Sequence, residues 1–169
     1  MKIRRGGMDD VPAIMGMLDG AVAWLADRGR TDQWGTRPWS ESPGQVEKIA
    51  DKVHTGVAWI AEVDEEPAGA MVLSAEAVDY VPAAREPELY ITLLVTSRAF
   101  TGRGVGSALL AHAYEEARRA GVGLLRVDCF AGNDGRLVEY YRGNGFTRAD
   151  TFTVGAWPGR LLFREVTPS

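Results

Sequence analysis

The feature that most constrains this 169-residue chain is an apolar run that leads through a glycine-punctuated turn into a helical pattern. The run Glu88–Thr96 predicts a strand, and glycines follow at positions 102, 104 and 106. Glycine lets a backbone approach a ligand closely, and the first N–H groups of a helix have no intrahelical partner. Because the helix dipole also favours an anion at that end, the pattern predicts a phosphate-binding turn.

The rest of the chain alternates between strand and helix patterns. We expect helices from Asp9 or Asp10 to about Gly29, from Ser42 to Gly56, from the glycine turn to Gly121, and over residues 137–142. The expected strands cover residues 2–5, 57–63, 68–73, 88–96, 124–130, 146–154 and 159–166. Since hairpins imply antiparallel pairs and a strand–helix–strand unit implies a parallel pair, the fold class is α+β (mixed α/β), a mixed sheet with helices on both faces. We expect residues 1–169 to form a single domain.

Composition excludes several classes of function. A net charge of −4 with scattered arginines argues against nucleic-acid binding. The single Cys129 cannot form an internal disulfide, and it lies in an apolar strand-like run that favours a buried thiol. His54 and His112 lack the neighbours of a metal site, so we expect no metal. With no leader or long apolar segment, we expect a cytoplasmic protein without a membrane partner.

Two known kinds of phosphate turn fit poorly. A nucleotide-hydrolase loop needs a lysine after its last glycine, whereas Gly104 is followed by Val105, Gly106 and Ser107. A dinucleotide-binding fold has an acidic residue about twenty positions after its glycine turn, and Asp128 lies at about that distance. However, the final glycine of the dinucleotide fingerprint is missing from this chain.

Two motifs together resemble those of the GNAT superfamily of N-acetyltransferases. The first is similar to the family's acetyl-CoA signature and reads Thr96-Ser97-Arg98-Ala99-Phe100-Thr101-Gly102-Arg103-Gly104-Val105-Gly106, followed by Leu109-Leu110. The second is similar to the family's Asn-x-x-Ala-x-x-x-Tyr-x-x-x-Gly-Phe and runs from Asn133 to Phe146. The order of the expected helices and strands also matches the family, so the resemblance covers nearly the whole chain. It implies a GNAT-like, splayed central sheet.

The resemblance implies acetyl-CoA as the acyl donor and assigns residues to it. The pantetheine arm would pair with the backbone of Leu94, Val95 and Thr96, and the pyrophosphate would lie against Thr101, Gly102, Arg103, Gly104, Val105, Gly106 and Ser107. Asn133 and Asp134 would also contact the cofactor. The chain departs from the usual motifs at several positions. Thr96 stands where the family has valine, Arg98 where it commonly has proline, and Thr101 where it has Arg or Gln. In the second motif, Asp134 stands at the position where the family has asparagine.

The implied reaction is direct attack of a primary amine on the acetyl carbon. An alkylammonium must first lose a proton, which costs about 4.6 kcal/mol at neutral pH. Glu88 and Tyr90 are the candidate bases, although Glu88 could instead be a solvated charge at a strand end. Thr92 lies on the same strand face as Tyr90 and could hold a water molecule or the substrate.

Tyr141 is the candidate that assists the leaving thiolate. It lies four residues before Gly145-Phe146, where the family's tyrosine usually reaches the CoA sulfur. The alternative is a core role, which we expect for Tyr140.

The acceptor would be a small-molecule or peptide amine. We expect its site in the loop after the first helix, at Asp32, Gln33, Trp34 and Trp39, although the two tryptophans could simply anchor the loop. The resemblance allows a homodimer. A second interpretation of the same motifs is an acyl-CoA-binding sensor domain with little or no catalysis.

Overall fold

The structure of this chain is a computed structural model that describes residues 1–167. Its strands are β1 (Lys2–Arg5), β2 (Val57–Val63), β3 (Glu66–Ser74), β4 (Glu88–Thr96), β5 (Leu124–Phe130), β6 (Thr147–Val154) and β7 (Trp157–Glu165). Its α-helices are α1 (Val11–Asp27), α2 (Pro43–Thr55), α3 (Val105–Ala120) and α4 (Arg136–Gly143). The strands form one seven-stranded mixed sheet in the order β1-β2-β3-β4-β5-β7-β6. The expected α+β class is confirmed.

The chain divides into two compact units. Among residues 1–167, the first contains residues 1–73 and 93–109, and the second contains residues 74–92 and 110–167. In the first unit the antiparallel strands β1, β2 and β3 lie beside one another, and α1 and α2 bury their apolar faces on them. This core includes Ile14 and Leu18 of α1, Ile49 of α2 and Ile60 of β2.

Gly69 on β3 allows the first turn of α3 to pack closely against the sheet of the first unit. A Cβ at this position would come within 2.6 Å of Val105 Cγ1 and 3.0 Å of Leu109 Cδ1. Because a β-branched side chain has little freedom to move aside, only glycine lets the first turn of α3 pack this closely on β3. The start of α3 is therefore positioned by a residue that lies 36 positions earlier in the sequence.

In the second unit β4 pairs with β5 in parallel, and β5 pairs with β7, which pairs with β6. The β4–β5 register runs from Glu88↔Leu124 to Ile91↔Val127, whereas β4 itself continues to Thr96. The residues of β4 that we expect to face the pantetheine arm thus lie beyond this register.

Most helix and strand boundaries agree with those predicted from the sequence, but the boundaries of the β2–β3 hairpin differ. We expected residues 64–67 to be the connection, but β3 already begins at Glu66. Asp64 and Glu65 both have positive φ, so two residues suffice for a tight hairpin turn of the primed type. Pro67 is tolerated in the strand because the register shifts beside it, between Ala61 and Glu62.

Candidate functional site

The glycine turn forms the start of α3 in the first unit. Gly102 and Gly104 have φ of +80° and +73°, in the left-handed region that favours glycine. A Cβ at either position would meet nothing within 4 Å in the described part of the chain, so the space over the turn is open. The hydrogen bond from Ala108 N to Gly104 O, at 3.0 Å, is the first of the helical i→i−4 pattern. The N–H groups of Val105, Gly106 and Ser107 precede it, and N–H groups at a helix start have no intrahelical partner and favour an anion.

The departures from the usual motif have structural roles in this turn. The Thr101 hydroxyl donates to the Arg98 carbonyl at 2.8 Å, so it stabilises the short 3-10 turn that precedes the glycines. Arg98 packs its guanidinium over the Trp24 ring of α1, 3.9 Å from the ring centroid. Arg103 is exposed, and its backbone N–H donates to Phe100 O at 3.2 Å. The turn is thus braced from within and from α1 while its outer face stays accessible.

The aromatic loop that follows α1 also belongs to the first unit. Trp34 and Trp39 are half-buried, with ring centroids 5.6 Å apart, and Trp39 Nε1 donates to Trp34 O at 3.0 Å. Both rings pack on the core of this unit, which fits the anchoring alternative, and both also line an open cavity of about 260 Å³. Asp32 is exposed, and Gln33 is half-buried beside them. An anchoring role and a binding role are therefore compatible in this loop.

Tyr141 lies on α4 in the second unit and is 5% exposed. Its ring makes edge contacts with Tyr140 and Phe146, at centroid distances of 5.7 and 5.8 Å. Burial raises the pKa of the Tyr141 phenol, and the neighbouring Cys129, Tyr140 and Asp128 raise it further. The phenol is therefore protonated throughout the neutral range and can act as a hydrogen-bond donor. The expectation that Tyr140 is a core residue is wrong, since this side chain is 39% exposed.

The chain just before α4 has an unusual backbone. Asn133, Asp134 and Gly135 follow one another with φ of +54°, +65° and +70°. Asn and Asp tolerate this region better than other non-glycine residues, yet consecutive left-handed residues are uncommon and often occur at functional sites. Asn133 is half-buried and Asp134 is exposed.

Glu88 on β4 forms a buried ion pair with Arg126 on β5. The guanidinium donates from Nε to Oε1 at 2.6 Å and from Nη2 to Oε2 at 2.7 Å, and the two residues are 6% and 7% exposed. Arg126 Nη2 also donates to the Pro82 carbonyl at 3.0 Å, which ties the loop before β4 to the sheet. Glu88 is therefore not a solvated charge at the strand end, and both of its oxygens accept hydrogen bonds.

Tyr90 and Tyr80 both donate to the carboxylate of Asp128 on β5. The Tyr90 hydroxyl lies 2.5 Å from Oδ1 and the Tyr80 hydroxyl 3.0 Å from Oδ2. Burial and the Asp128 charge raise the pKa of Tyr90, so its phenolate is not populated near neutral pH. That Glu88 or Tyr90 is the base stays a prediction, and the structure gives both groups other partners. Thr92, on the same strand, is half-buried.

A sequence model of the acetyltransferase (GNAT) family matches residues 21–146, about three quarters of the chain. The chain belongs to the GNAT family. This confirms the resemblance based on two motifs and excludes the nucleotide-hydrolase and dinucleotide interpretations of the turn.

Individual relatives are more distant. The Bacillus subtilis (strain 168) protein named uncharacterized N-acetyltransferase YesJ is 27% identical over 143 residues, covering 82% of this chain and 77% of YesJ. A GNAT-family acetyltransferase structure from Listeria monocytogenes is 21% identical, with a TM-score of 0.74, and covers 98% of this chain and 94% of its own. The structure of yncA from Salmonella typhimurium, titled as a putative acetyltransferase with its cofactor acetyl-CoA, is 18% identical, with a TM-score of 0.66 and coverages of 100% and 95%.

Sequence reasoning missed the roles of Asp128, Arg126 and Tyr80 in this GNAT chain. From the sequence, Asp128 was considered only as the acidic residue of a dinucleotide-binding fold. A usable signal was present, because Arg126 and Asp128 occupy alternate positions on an otherwise apolar strand and therefore share one face. Two opposite charges on one face of an interior strand indicate specific partners, since isolated charges are rarely buried.

Among residues 1–167, each helix falls short of the length and apolar character needed to cross a membrane.

Proposed function

We propose that this GNAT chain is an acetyl-CoA-dependent N-acetyltransferase that acts on a primary amine. The observation that carries the proposal is the turn from Gly102 to Ser107, where two left-handed glycines and the N-terminal N–H groups of α3 surround open space. The structure of yncA with its cofactor acetyl-CoA also supports the proposal. Leu94, Val95 and Thr96 are proposed to bind the pantetheine arm through their backbone, since they lie beyond the β4–β5 register.

Tyr141 is proposed to assist departure of the thiolate. In the reaction the amine forms a C–N bond to the acetyl carbon, the C–S bond breaks, nitrogen loses a proton and sulfur gains one. Because its pKa is raised, Tyr141 favours a hydrogen bond to the developing thiolate over early transfer of its proton. Asn133 and Asp134, in their left-handed segment just before the same helix, are proposed as further cofactor contacts.

Asp32, Gln33, Trp34, Trp39 and Thr92 are proposed to contribute to acceptor binding. The cavity beside the two tryptophans supports this role for the loop. We also propose that the chain acts as a single domain, since the family match spans residues of both units. A cytoplasmic location is supported by the lone, buried Cys129. A homodimer is a further proposal, which light scattering would test.

A catalytically weak acyl-CoA sensor is the second candidate. One observation favours it: the two candidate bases on β4, Glu88 and Tyr90, are already bonded to Arg126 and Asp128. Thiol release from acetyl-CoA with a broad panel of amines distinguishes the two functions. Tight acetyl-CoA binding without release for any amine would favour the sensor.

The cofactor assignment is tested by Gly104→Ala, with Gly155→Ala as its matched control. Gly155 lies in the β6–β7 turn with φ +59° and, like Gly104, has no described atom within 4 Å of an added Cβ. Both substitutions cost about 1–2 kcal/mol of backbone strain. We expect Gly104→Ala to weaken acetyl-CoA binding about tenfold or more by calorimetry, because its methyl group enters the open space, while Gly155→Ala binds like wild type. Equal affinities in the two variants would contradict the assignment.

A further inference from the structure

The second unit contains a carboxylate bound by two phenols that differ in burial. Asp128 accepts from Tyr90 on one oxygen and from Tyr80 on the other. Tyr90 is fully buried, whereas Tyr80 is 42% exposed and lies in the segment between β3 and β4. Tyr90 is therefore a fixed donor, and Tyr80 is a donor that can exchange with another group at little cost.

We propose that the ammonium group of the acceptor binds the Asp128 carboxylate in place of the Tyr80 hydroxyl, while Tyr90 keeps the other oxygen oriented. The inference rests on the proposed acetyltransferase function and names the class of acceptor. That class is a primary amine that arrives as a cation and carries an apolar or aromatic arm.

The exchange replaces a weaker hydrogen bond by a stronger one. Both donors bond to an ionised carboxylate, but only the ammonium adds the attraction between two opposite charges. The Tyr80 hydroxyl, once displaced, can bond to water because its side chain is already partly exposed. Tyr90 cannot leave as easily, since its hydroxyl would lose its partner inside the protein.

The charges around Tyr80 favour a cation. Burial raises the pKa of the Tyr80 phenol, and the charges of Asp128 and Asp79 raise it further, so both carboxylates act at this point. The nearby guanidinium of Arg126, whose Cζ lies 5.5 Å from the Tyr90 ring centroid, is paired with Glu88 through two short bonds. Its charge is therefore largely offset, and the positive charge of an incoming ammonium is attracted.

Aromatic rings beside Tyr80 suit the part of the acceptor next to its ammonium group. The Tyr80 and Phe152 ring centroids are 5.4 Å apart, and Trp157 lies 6.3 Å beyond Phe152. Phe152 covers Gly159 on β7, where a Cβ would overlap its ring. Ring faces attract both a cation and apolar carbon. Asp128 also acts on the pKa of Tyr141, so the proposed ammonium site and the proposed thiolate donor lie within electrostatic reach in one unit.

The test compares a cationic and a neutral acceptor in Asp128→Asn. Phenethylamine is an ammonium at neutral pH, whereas phenylacetic hydrazide is an uncharged nucleophile with a similar arm. We expect Asp128→Asn to raise the KM for the amine about 10- to 100-fold and to change the KM for the hydrazide less than about threefold. Asp150→Asn, an exposed carboxylate on β6, controls for loss of charge alone. Equal losses for both acceptors would overturn the inference.

A second variant avoids dependence on the folding of Asp128→Asn. Tyr80→Phe removes the competing donor from a partly exposed side chain, so the KM for phenethylamine should stay the same or fall a few-fold. A rise as large as that of Asp128→Asn would overturn the exchange. If wild type uses the hydrazide but not the amine, the ammonium site is refuted while acetyl transfer stands. If acetyl-CoA binds but no acceptor releases thiol, the proposed function fails and this inference fails with it.

Discussion

Breaking the Glu88–Arg126 ion pair should destabilise the protein far more than breaking an exposed pair between the same residue types. Glu88→Gln leaves the Arg126 guanidinium buried without its counter-charge, because both residues are less than 10% exposed. Removing one partner of a buried pair costs about 3–5 kcal/mol. For a chain of this size that corresponds to a fall in Tm of about 6–20 °C.

The matched control is Glu139→Gln on α4. Arg142 donates to both oxygens of Glu139, at 2.9 and 3.0 Å, but the Arg142 side chain is 44% exposed and that of Glu139 is 59% exposed. Solvent screens such a pair, so its loss should cost less than about 1 kcal/mol. Thermal unfolding of the two variants tests the argument from burial. That argument is refuted if Glu88→Gln lowers Tm no more than Glu139→Gln does.

A double variant separates the structural role of Glu88 from catalysis. Replacing both partners by methionine removes the uncompensated charge, so most of the lost stability should return. If Glu88 is the proton acceptor, the double variant stays inactive in spite of its restored Tm. If Glu88 only balances the buried charge of Arg126, turnover per folded molecule recovers with stability.

Three further outcomes follow from individual side chains. Tyr141→Phe should lower turnover by about one to three powers of ten with little change in acetyl-CoA affinity, because it removes only the proposed hydrogen bond to the leaving thiolate; unchanged turnover would remove Tyr141 from the mechanism. Bonds from Arg4 and the Gly7 N–H lower the pKa of Asp10. Wild type should therefore be more stable than Asp10→Asn above pH 3.8, and this difference in the free energy of unfolding should disappear as the pH falls below that value. A pH-independent difference in urea unfolding would contradict this. Burial raises the pKa of Cys129 to about 12, so only about one thiol in 10⁴ is ionised at pH 8, and iodoacetamide should label it only after unfolding; rapid labelling of the folded protein would show that the thiol is accessible.

The sequence predicted those features whose causes are local. The bounds of β4, the first turn of α2 after Ser42, and the glycine turn that opens α3 all follow from residues a few positions apart. Periodicity, capping and glycine content act over one or two turns, so a single sequence suffices to read them. The β2–β3 turn was misplaced because the left-handed φ of Asp64 and Glu65, which are not glycines, had no such signal.

The partners of the site residues depended on the tertiary structure. Tyr90 and Asp128 are 38 positions apart, as are Glu88 and Arg126, and Tyr80 and Asp128 are 48 apart. The parallel register of β4 and β5 brings the first two pairs together, and the loop fixed by the Arg126–Pro82 bond adds Tyr80. The sequence by itself therefore determined the family, the fold class and the glycine turn that opens α3. Only the tertiary structure decided which charges are paired and where Asp128 lies, because strand register is a property of the whole sheet and not of either strand alone.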